Sequence, residues 1–466
     1  MVIPIPDSAF FLPKEGNAIT PLIDGGTAFD RIASRVESAI SSVWVCVAFL
    51  EPEATFPKGR GTFFDLLDTA TSRGLDVRAL FWHPEGPSAD ANDTLCADAK
   101  TIQMLSIRDT RWQARWDAVG MNCQHQKVWI IDAGTPNETA FVGGINITQG
   151  SMANSTHEEP TFGVRNERYS NIHDVHCQIQ GPITSDVHQN FVMRWNHASE
   201  QDKEYGNWPE TGTTNLPQAD SVAAVAGNVK AQITRSILPN LYSEMPDGEN
   251  SVRQQYLEAF EAAEEYIYIE NQVFLSRACL DVIHGALERG LPVLALVPAD
   301  PMPELSAARA HPGIAAAYEA LAKCGEYPNF CLAAPAALRS WGYEEIYVHS
   351  KTAIIDDVWA TIGSTNLVFS SFQGDTEMNV SFWDAQTARA FRVQLFDEHG
   401  GFSSIEYGGR EAIEELMNIA GRNSDRREKI SLYKAFFMQF HQIPGRNNAY
   451  SFKCVLLTAS DRNREI

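Results

Sequence analysis

A chain of 466 residues with 44% hydrophobic content is long enough to bury a large core, in one big domain or two to three ordinary ones. Its net charge of −22 works against binding a polyanion, because nucleic-acid affinity rests on Lys and Arg displacing counterions from phosphates, so no nucleic-acid partner is expected. The eight cysteines are scattered, without a C-x-x-C pair, and read as ordinary buried thiols rather than metal ligands. The opening "MVIPIPDSAFFLPKEG" lacks the basic and apolar regions of a secretory signal, and no apolar run reaches the roughly 18–20 residues of a spanning helix. A cytoplasmic protein, peripheral on membranes at most, is the expectation.

Taken in chain order, the amphipathic stretch "AFDRIASRVESAISS" predicts a helix and the β-branched run "VWVCVAFLEP" a buried strand. "FFDLLDTATSRG" reads as a helix stopped at Gly74, and "LDVRALFW" as the strand after it. Two further strands, "KVWIID" and "TAFVGG", flank a turn, and a helix around "DVHQNFVMRW" closes this part. The polar, Gly- and Pro-containing "EQDKEYGNWPETGTTNLPQADS" reads as a connector. Then the series repeats: helix "SVRQQYLEAFEAAEE", strand "YIYIENQVFL", helix "CLDVIHGALERG" ending at Gly290, strand "LPVLALVP", the pair "KTAIID" and "WATIGS", and helix "AQTARAFRVQLFDEHGG". Such alternation predicts an α/β fold of two similar halves with mostly buried strands in a mixed sheet. The expected division is residues 1–205 for the first half, 206–235 for the connector, 236–403 for the second half and 404–466 for a C-terminal extension. The basic, aromatic extension reads either as a membrane-surface element or as a helix packed on the body.

The repeat carries chemistry. "HQKVWIID" holds His125 and Lys127, and "HSKTAIID" holds His349 and Lys351. On a strand, residues two apart project from one face, so each half offers an imidazole and an ammonium to the same space. The turns "GGIN" and "GSTN" then add Gly143, Gly144 and Asn146, and Gly363, Ser364 and Asn366, small residues beside an amide that let N–H groups approach an anion. Two lysines and two asparagines converging on one point make a cradle for a phosphate. A phosphodiester further needs a nucleophile and a proton for the leaving alcohol, and histidine performs either task near neutral pH. Dividing the tasks requires carboxylates that treat the two rings differently. Glu377 in "QGDTEMNV" is the expected partner of His349, and Asp174 in "NIHDVHCQ" that of His125, with Glu158, Glu159 and Glu167 nearby in sequence. Asp132 and Asp356 are expected to bond backbone. His173 and His176 read as packing or supporting residues, and Glu270 to Gln272 of "IENQ" as a stretch that contacts substrate. Trp112, Trp116, Trp341 and Tyr343, just ahead of the motifs, are either lipid contacts or ordinary packing.

H-x-K-x(4)-D followed by G-G/S-x-N, once per half, resembles the phospholipase D superfamily over residues 30 to 403. The flanks "YLEAFEAAEEYIYIENQVF", "YVHSKTAIIDDVWATIGSTN", "GDTEMNV" and "HDVHCQIQGP" are similar to its phosphatidylcholine-type members in a compact bacterial form. The resemblance implies pseudo-twofold symmetry between the halves, one active site at their interface, and a ping-pong reaction through a phosphohistidine. It implies His125 as nucleophile, His349 as general acid, no cofactor and no catalytic metal. Ser370 stands where these enzymes often have arginine. The expected activity is a phospholipase D that releases phosphatidic acid and a free head group, acting as a monomer on phospholipid at a membrane surface with water or an alcohol as acceptor. The alternatives are a phosphatidyltransferase, such as a cardiolipin or phosphatidylserine synthase, and a nuclease of the same superfamily.

Overall fold

Why the apolar run after the first helix is a strand covered on both sides is visible in its burial: all six residues of Ser42–Val47 are buried. The computed structural model describes residues 3–84, 95, 99–157, 170–200, 207–208, 214–218, 223–299, 309, 311–339, 342–434 and 454–457. Within these, Ser42–Val47 runs parallel to Asp76–Trp82, which in turn runs parallel to Gln113–Asp117. Its other edge lies antiparallel to Lys127–Ile131, and the sheet continues antiparallel through Thr139–Gly143, Val175–Gln180 and Lys14–Ile23.

The second half repeats this order strand for strand. Phe330–Arg339, Val293–Leu296 and Ile267–Asn271 are parallel, and Lys351–Ile355, Trp359–Gly363, Glu377–Trp383 and Val229–Ile237 follow antiparallel. Helices Phe63–Ser72 and Arg277–Glu288 cross between equivalent parallel strands and end alike, with Gly74 at φ 81° and Gly290 at φ 82°, a conformation that glycine adopts without steric cost. The mixed α/β architecture of two similar halves is thus as the sequence predicts.

One boundary moves. Val229–Ile237 is the opening strand of the second half, so residues 229–235 belong to the sheet and not to a 206–235 connector. Its polar residues disguise it: Gln232 donates to the Phe11 carbonyl, and Arg235 is buried against Glu249. This strand and Lys14–Ile23 also pair with each other, at Lys14 with Ala231 and at Asn17 with Val229, which joins the sheets of the two halves.

A hydrophobic cluster common to both halves lies behind that joint. It contains Trp44, Val128 and Val142 of the first sheet, Tyr268, Ile354 and Val380 of the second, and Phe191, Trp195, Phe391 and Leu395 of helices Thr184–Glu200 and Ala385–Gly400. Separate clusters fill the other faces of the two sheets. Trp112 and Trp116 are core, 1% and 0% exposed, which removes them from the lipid-contact candidates. Trp341 and the side chain of Tyr343 lie outside the described residues. Helix Gly409–Lys434 buries Ala412, Ile413, Leu416 and Ala420 in the common core; the side chains of 425–434 and residues 435–453, most of the basic, aromatic stretch, lie outside the described residues. Among the described residues no helix is long and apolar enough to cross a membrane.

Asp132 and Asp356 pin the motif strands from below. Asp132 accepts the backbone N–H groups of Ile40 and Ser41, and Asp356 those of Glu264, Glu265 and Tyr266. Both sit in the left-handed region, at φ 57° and 54°. Replacing Asp356 by Ala strands three amides at the start of the buried strand Ile267–Asn271, and a loss of about 2–4 kcal/mol is expected in urea unfolding.

Candidate active site

The histidines stand one residue or more outside their strands, where the chain leaves one half and meets the other. Cys123 to His125 docks on residues 375–376 of the second half: the Cys123 amide donates to Asp375 Oδ1 at 2.8 Å, the Thr376 amide to the Cys123 carbonyl at 2.9 Å, and the His125 amide to the Thr376 carbonyl at 3.0 Å. The mirror arrangement holds the other motif. Tyr347–Val348 pairs in parallel with Ile172–His173, and the His349 amide donates to the His173 carbonyl at 2.8 Å.

This docking decides which carboxylate each ring meets. His125 Nδ1 lies 3.0 Å from both oxygens of Glu377, and His349 Nδ1 lies 2.6 Å from Asp174 Oδ2. The expected pairs are therefore exchanged, because each motif lies against the carboxylate-bearing segment of the opposite half. Glu158, Glu159 and Glu167 lie outside the described residues. With Nδ1 of each ring turned to a carboxylate, Nε2 is the nitrogen left for chemistry.

Lys127 Nζ donates to the His125 carbonyl at 2.7 Å, and Lys351 Nζ to the His349 carbonyl and to Gln272 Oε1 at 2.9 Å. Gln272 therefore reaches the site through Lys351, while Glu270 turns away into a buried histidine cluster. Each lysine's charge reaches both imidazoles, so the four groups lie near enough to interact across the two halves. Asn146 and Asn366 stand at the equivalent ends of the two hairpins, each with a buried side-chain oxygen that has no hydrogen-bond partner among the described residues.

The two halves differ at one turn position. At Gly144 a side chain would run into Asp174 Oδ1; at the equivalent Ser364 the hydroxyl donates to Glu377 Oε2. The carboxylates diverge accordingly. Burial raises Glu377 to about 7, against the pull of Lys127 and of the Ser364 and Ser371 hydroxyls. Asp174 is also buried, but His349, Lys351 and the Val175 amide outweigh burial and hold it below the usual carboxylate range. Both imidazoles are pushed down, His125 by burial and the two lysines, His349 to about 3 by burial and Lys351 against the attraction of Asp174. Burial lowers Lys127 to about 8 and Lys351 to about 7. Such a site is short of negative charge, and a phosphodiester anion supplies it.

His176 accepts the Ile145 amide at 3.2 Å and His173 lies in the buried cluster, both in supporting positions. Asp375 and Thr376 were not singled out by the sequence; their proximity to Glu377 in the chain was the available signal.

Two models of known families match the chain: "Phospholipase D" over residues 57–281 and "Cardiolipin synthase, PLD-like domain" over residues 256–398. Among curated proteins, cardiolipin synthase 2 of Staphylococcus epidermidis is 26% identical over 416 residues, 87% of this chain and 73% of its own length. Cardiolipin synthases of Staphylococcus aureus and Oceanobacillus iheyensis are 24% and 22% identical over 401 and 384 residues, covering 84% and 82% of this chain and 69% and 68% of their own lengths. Among solved structures, phosphatidylserine synthase of Haemophilus influenzae superposes with a TM-score of 0.55 at 14% identity, covering 91% of this chain and 96% of that one. The chain belongs to the phospholipase D superfamily. The expectation of a lipid-degrading hydrolase is corrected, because the similar proteins are named synthases. Through a covalent intermediate, hydrolysis and transfer would differ only in the hydroxyl that resolves it, a choice the motif residues do not encode.

Two measurements address this geometry. Double-mutant cycles on unfolding free energy are expected to show coupling of about 0.5–3 kcal/mol for His349→Ala with Asp174→Ala and for His125→Ala with Glu377→Ala, and none for the exchanged pairs. Because Lys127 and Lys351 lose their protons near pH 8 and 7, sulfate affinity measured by calorimetry should fall as pH rises through this range. Lys351→Arg should carry the fall to higher pH, since guanidinium stays charged.

Proposed function

We propose that this chain is a phosphatidyltransferase, which moves the phosphatidyl group of one phospholipid to a hydroxyl group of another in the manner of a cardiolipin synthase. The observation that carries the reading is the pair of imidazoles, one from each half, each turned by an opposite-half carboxylate and flanked by a lysine. The names of the similar proteins favour an organic hydroxyl over water as acceptor.

In the first step Nε2 of His125 attacks phosphorus, a P–N bond forms, and the bond from phosphorus to the head-group oxygen breaks. His349, made cationic when the substrate anion offsets the two lysines, gives its proton to the departing alkoxide. Lys127, Lys351, Asn146 and Asn366 hold the non-bridging oxygens, whose charge rises in the transition state. In the second step His349 takes the proton of the acceptor hydroxyl, whose oxygen bonds to phosphorus as the P–N bond breaks. Asp174, held ionised, stabilises the His349 cation, while Glu377, poised near neutrality, fixes the His125 ring with Nε2 free. Both imidazoles are only 8% exposed, which limits the water that competes for the intermediate.

The test is product analysis by mass spectrometry on phosphatidylglycerol vesicles, with a serine-containing arm. Wild type is expected to form cardiolipin and glycerol, and His125→Ala and His349→Ala to form neither. Phosphatidic acid as the sole lipid product would overturn the transferase reading. With a p-nitrophenyl head group, which leaves without a proton, His349→Ala should recover about 10²–10⁴-fold in the first step and His125→Ala should not.

A further inference from the structure

Directly behind His349 lies a second constellation that the proposed reaction does not use. Asp24, His157 and His173 of the first half meet Glu398 of the second half, with one donor atom of each within 4.8 Å of all the others. Asp24 and His173 are 0% exposed and His157 is 1% exposed. His173 Nδ1 is 3.0 Å from Asp24 Oδ1 and 3.1 Å from Glu398 Oε1. His157 Nε2 is 3.3 Å from Asp24 Oδ2 and 3.6 Å from Glu398 Oε1.

Three features point to a cation between these atoms. First, ligands about 2.0–2.2 Å from a tetrahedral zinc ion stand ~3.3–3.5 Å from one another, and the separations of His157 Nε2 from Asp24 Oδ2 and of both rings from Glu398 Oε1, at 3.3, 3.6 and 3.1 Å, lie near that edge length. Second, the outer nitrogen of each ring already has a partner: His157 Nδ1 faces Asn171 Oδ1 at 2.6 Å, and His173 Nε2 faces Glu270 Oε2 at 3.0 Å. Glu270 is itself held by Tyr268, Ser350 and His399. Outer-sphere acceptors of this kind orient metal-binding imidazoles and fix their tautomers. Third, Asp24 Oδ2 and Glu398 Oε1 are buried and accept no hydrogen bond among the described residues, whereas Asp24 Oδ1 meets His173 Nδ1 in hydrogen-bond geometry.

We infer that Asp24, His157, His173 and Glu398 form a structural binding site for a divalent transition-metal ion, zinc by its donor set, that ties the two halves together behind His349. Two imidazoles exclude magnesium and calcium as preferred ions, since these take oxygen ligands. Two carboxylates, two neutral imidazoles and Zn²⁺ sum to zero charge, as a buried site requires. The ion would act on position and not on phosphorus. His173 gives its carbonyl to the His349 amide, and the Asp24 amide donates to the carbonyl of Asp174, whose carboxylate holds His349. The assignment stands independently of the transferase reading, and adds a structural ion where the resemblance implied only that no catalytic metal is needed.

The full chain, stripped with a strong chelator and then titrated with Zn²⁺, tests it by metal analysis, thermal unfolding and the visible spectrum of the Co²⁺ form. About one zinc per chain, a raised unfolding temperature and a tetrahedral cobalt spectrum are expected. Glu398→Gln and His157→Gln should abolish that stoichiometry, Glu270→Gln should weaken affinity about 10–100-fold, and the half-exposed His284→Ala should change nothing. Failure of stripped, folded wild type to take up zinc, or uptake unaffected by both ligand substitutions, overturns the site and leaves a buried ionic cluster. Should both variants fail to fold, the cobalt spectrum of wild type decides. None of these readouts depends on lipid turnover.

Discussion

Everything distinctive about this molecule depends on two imidazole–carboxylate contacts that cross from one half to the other. His125 has no carboxylate of its own half at Nδ1, and neither has His349; each borrows one from the opposite repeat. A ring oriented in this way requires the halves to be held at fixed separation, because a shift of even one ångström breaks a 2.6 Å contact. The joined strands Lys14–Ile23 and Val229–Ile237, the common hydrophobic cluster and the parallel pairing of Ile172–His173 with Tyr347–Val348 all serve that separation.

A duplicated unit brings symmetry, and the proposed reaction needs asymmetry. The difference is small and local. Ser364 donates a hydroxyl to Glu377, while at Gly144 the absence of a side chain lets Asp174 close in. Glu377 is raised to about 7 and Asp174 is lowered. Two rings with the same neighbours in kind thus sit on carboxylates of different proton affinity, the difference on which the proposed division of roles rests. Burial supplies the other half of the effect, since it depresses the lysines and imidazoles until an anion arrives.

The cluster behind His349 belongs to the same economy of structure. It takes residues from both halves, lies one residue from Asp174, and keeps three histidines and three carboxylates away from water. Buried charges persist only when paired or bound to a cation, so the site is a place where the interface has been made rigid at electrostatic cost.

Much of this was legible without coordinates. Periodicity and glycine stops gave the alternation of helices and strands, since those signals are local, and Gly74 and Gly290 end their helices as read. The two His-Lys pairs showed in the repeated spacing of the motifs, although the histidines stand just outside the strands, and Asp132 and Asp356 bond backbone as carboxylates at strand ends do. What needed the tertiary structure was every relation between halves. The exchange of Asp174 and Glu377, the turning of Glu270 into a buried cluster and the meeting of Asp24 with Glu398 join residues 97 to 374 positions apart. The strand Val229–Ile237 was hidden for the same reason, its polar residues being satisfied by distant partners such as Phe11. Sequence alone determined which side chains each motif offers, because local spacing fixes it; only the packing of one half on the other decided which groups meet, because that depends on contacts no local pattern records.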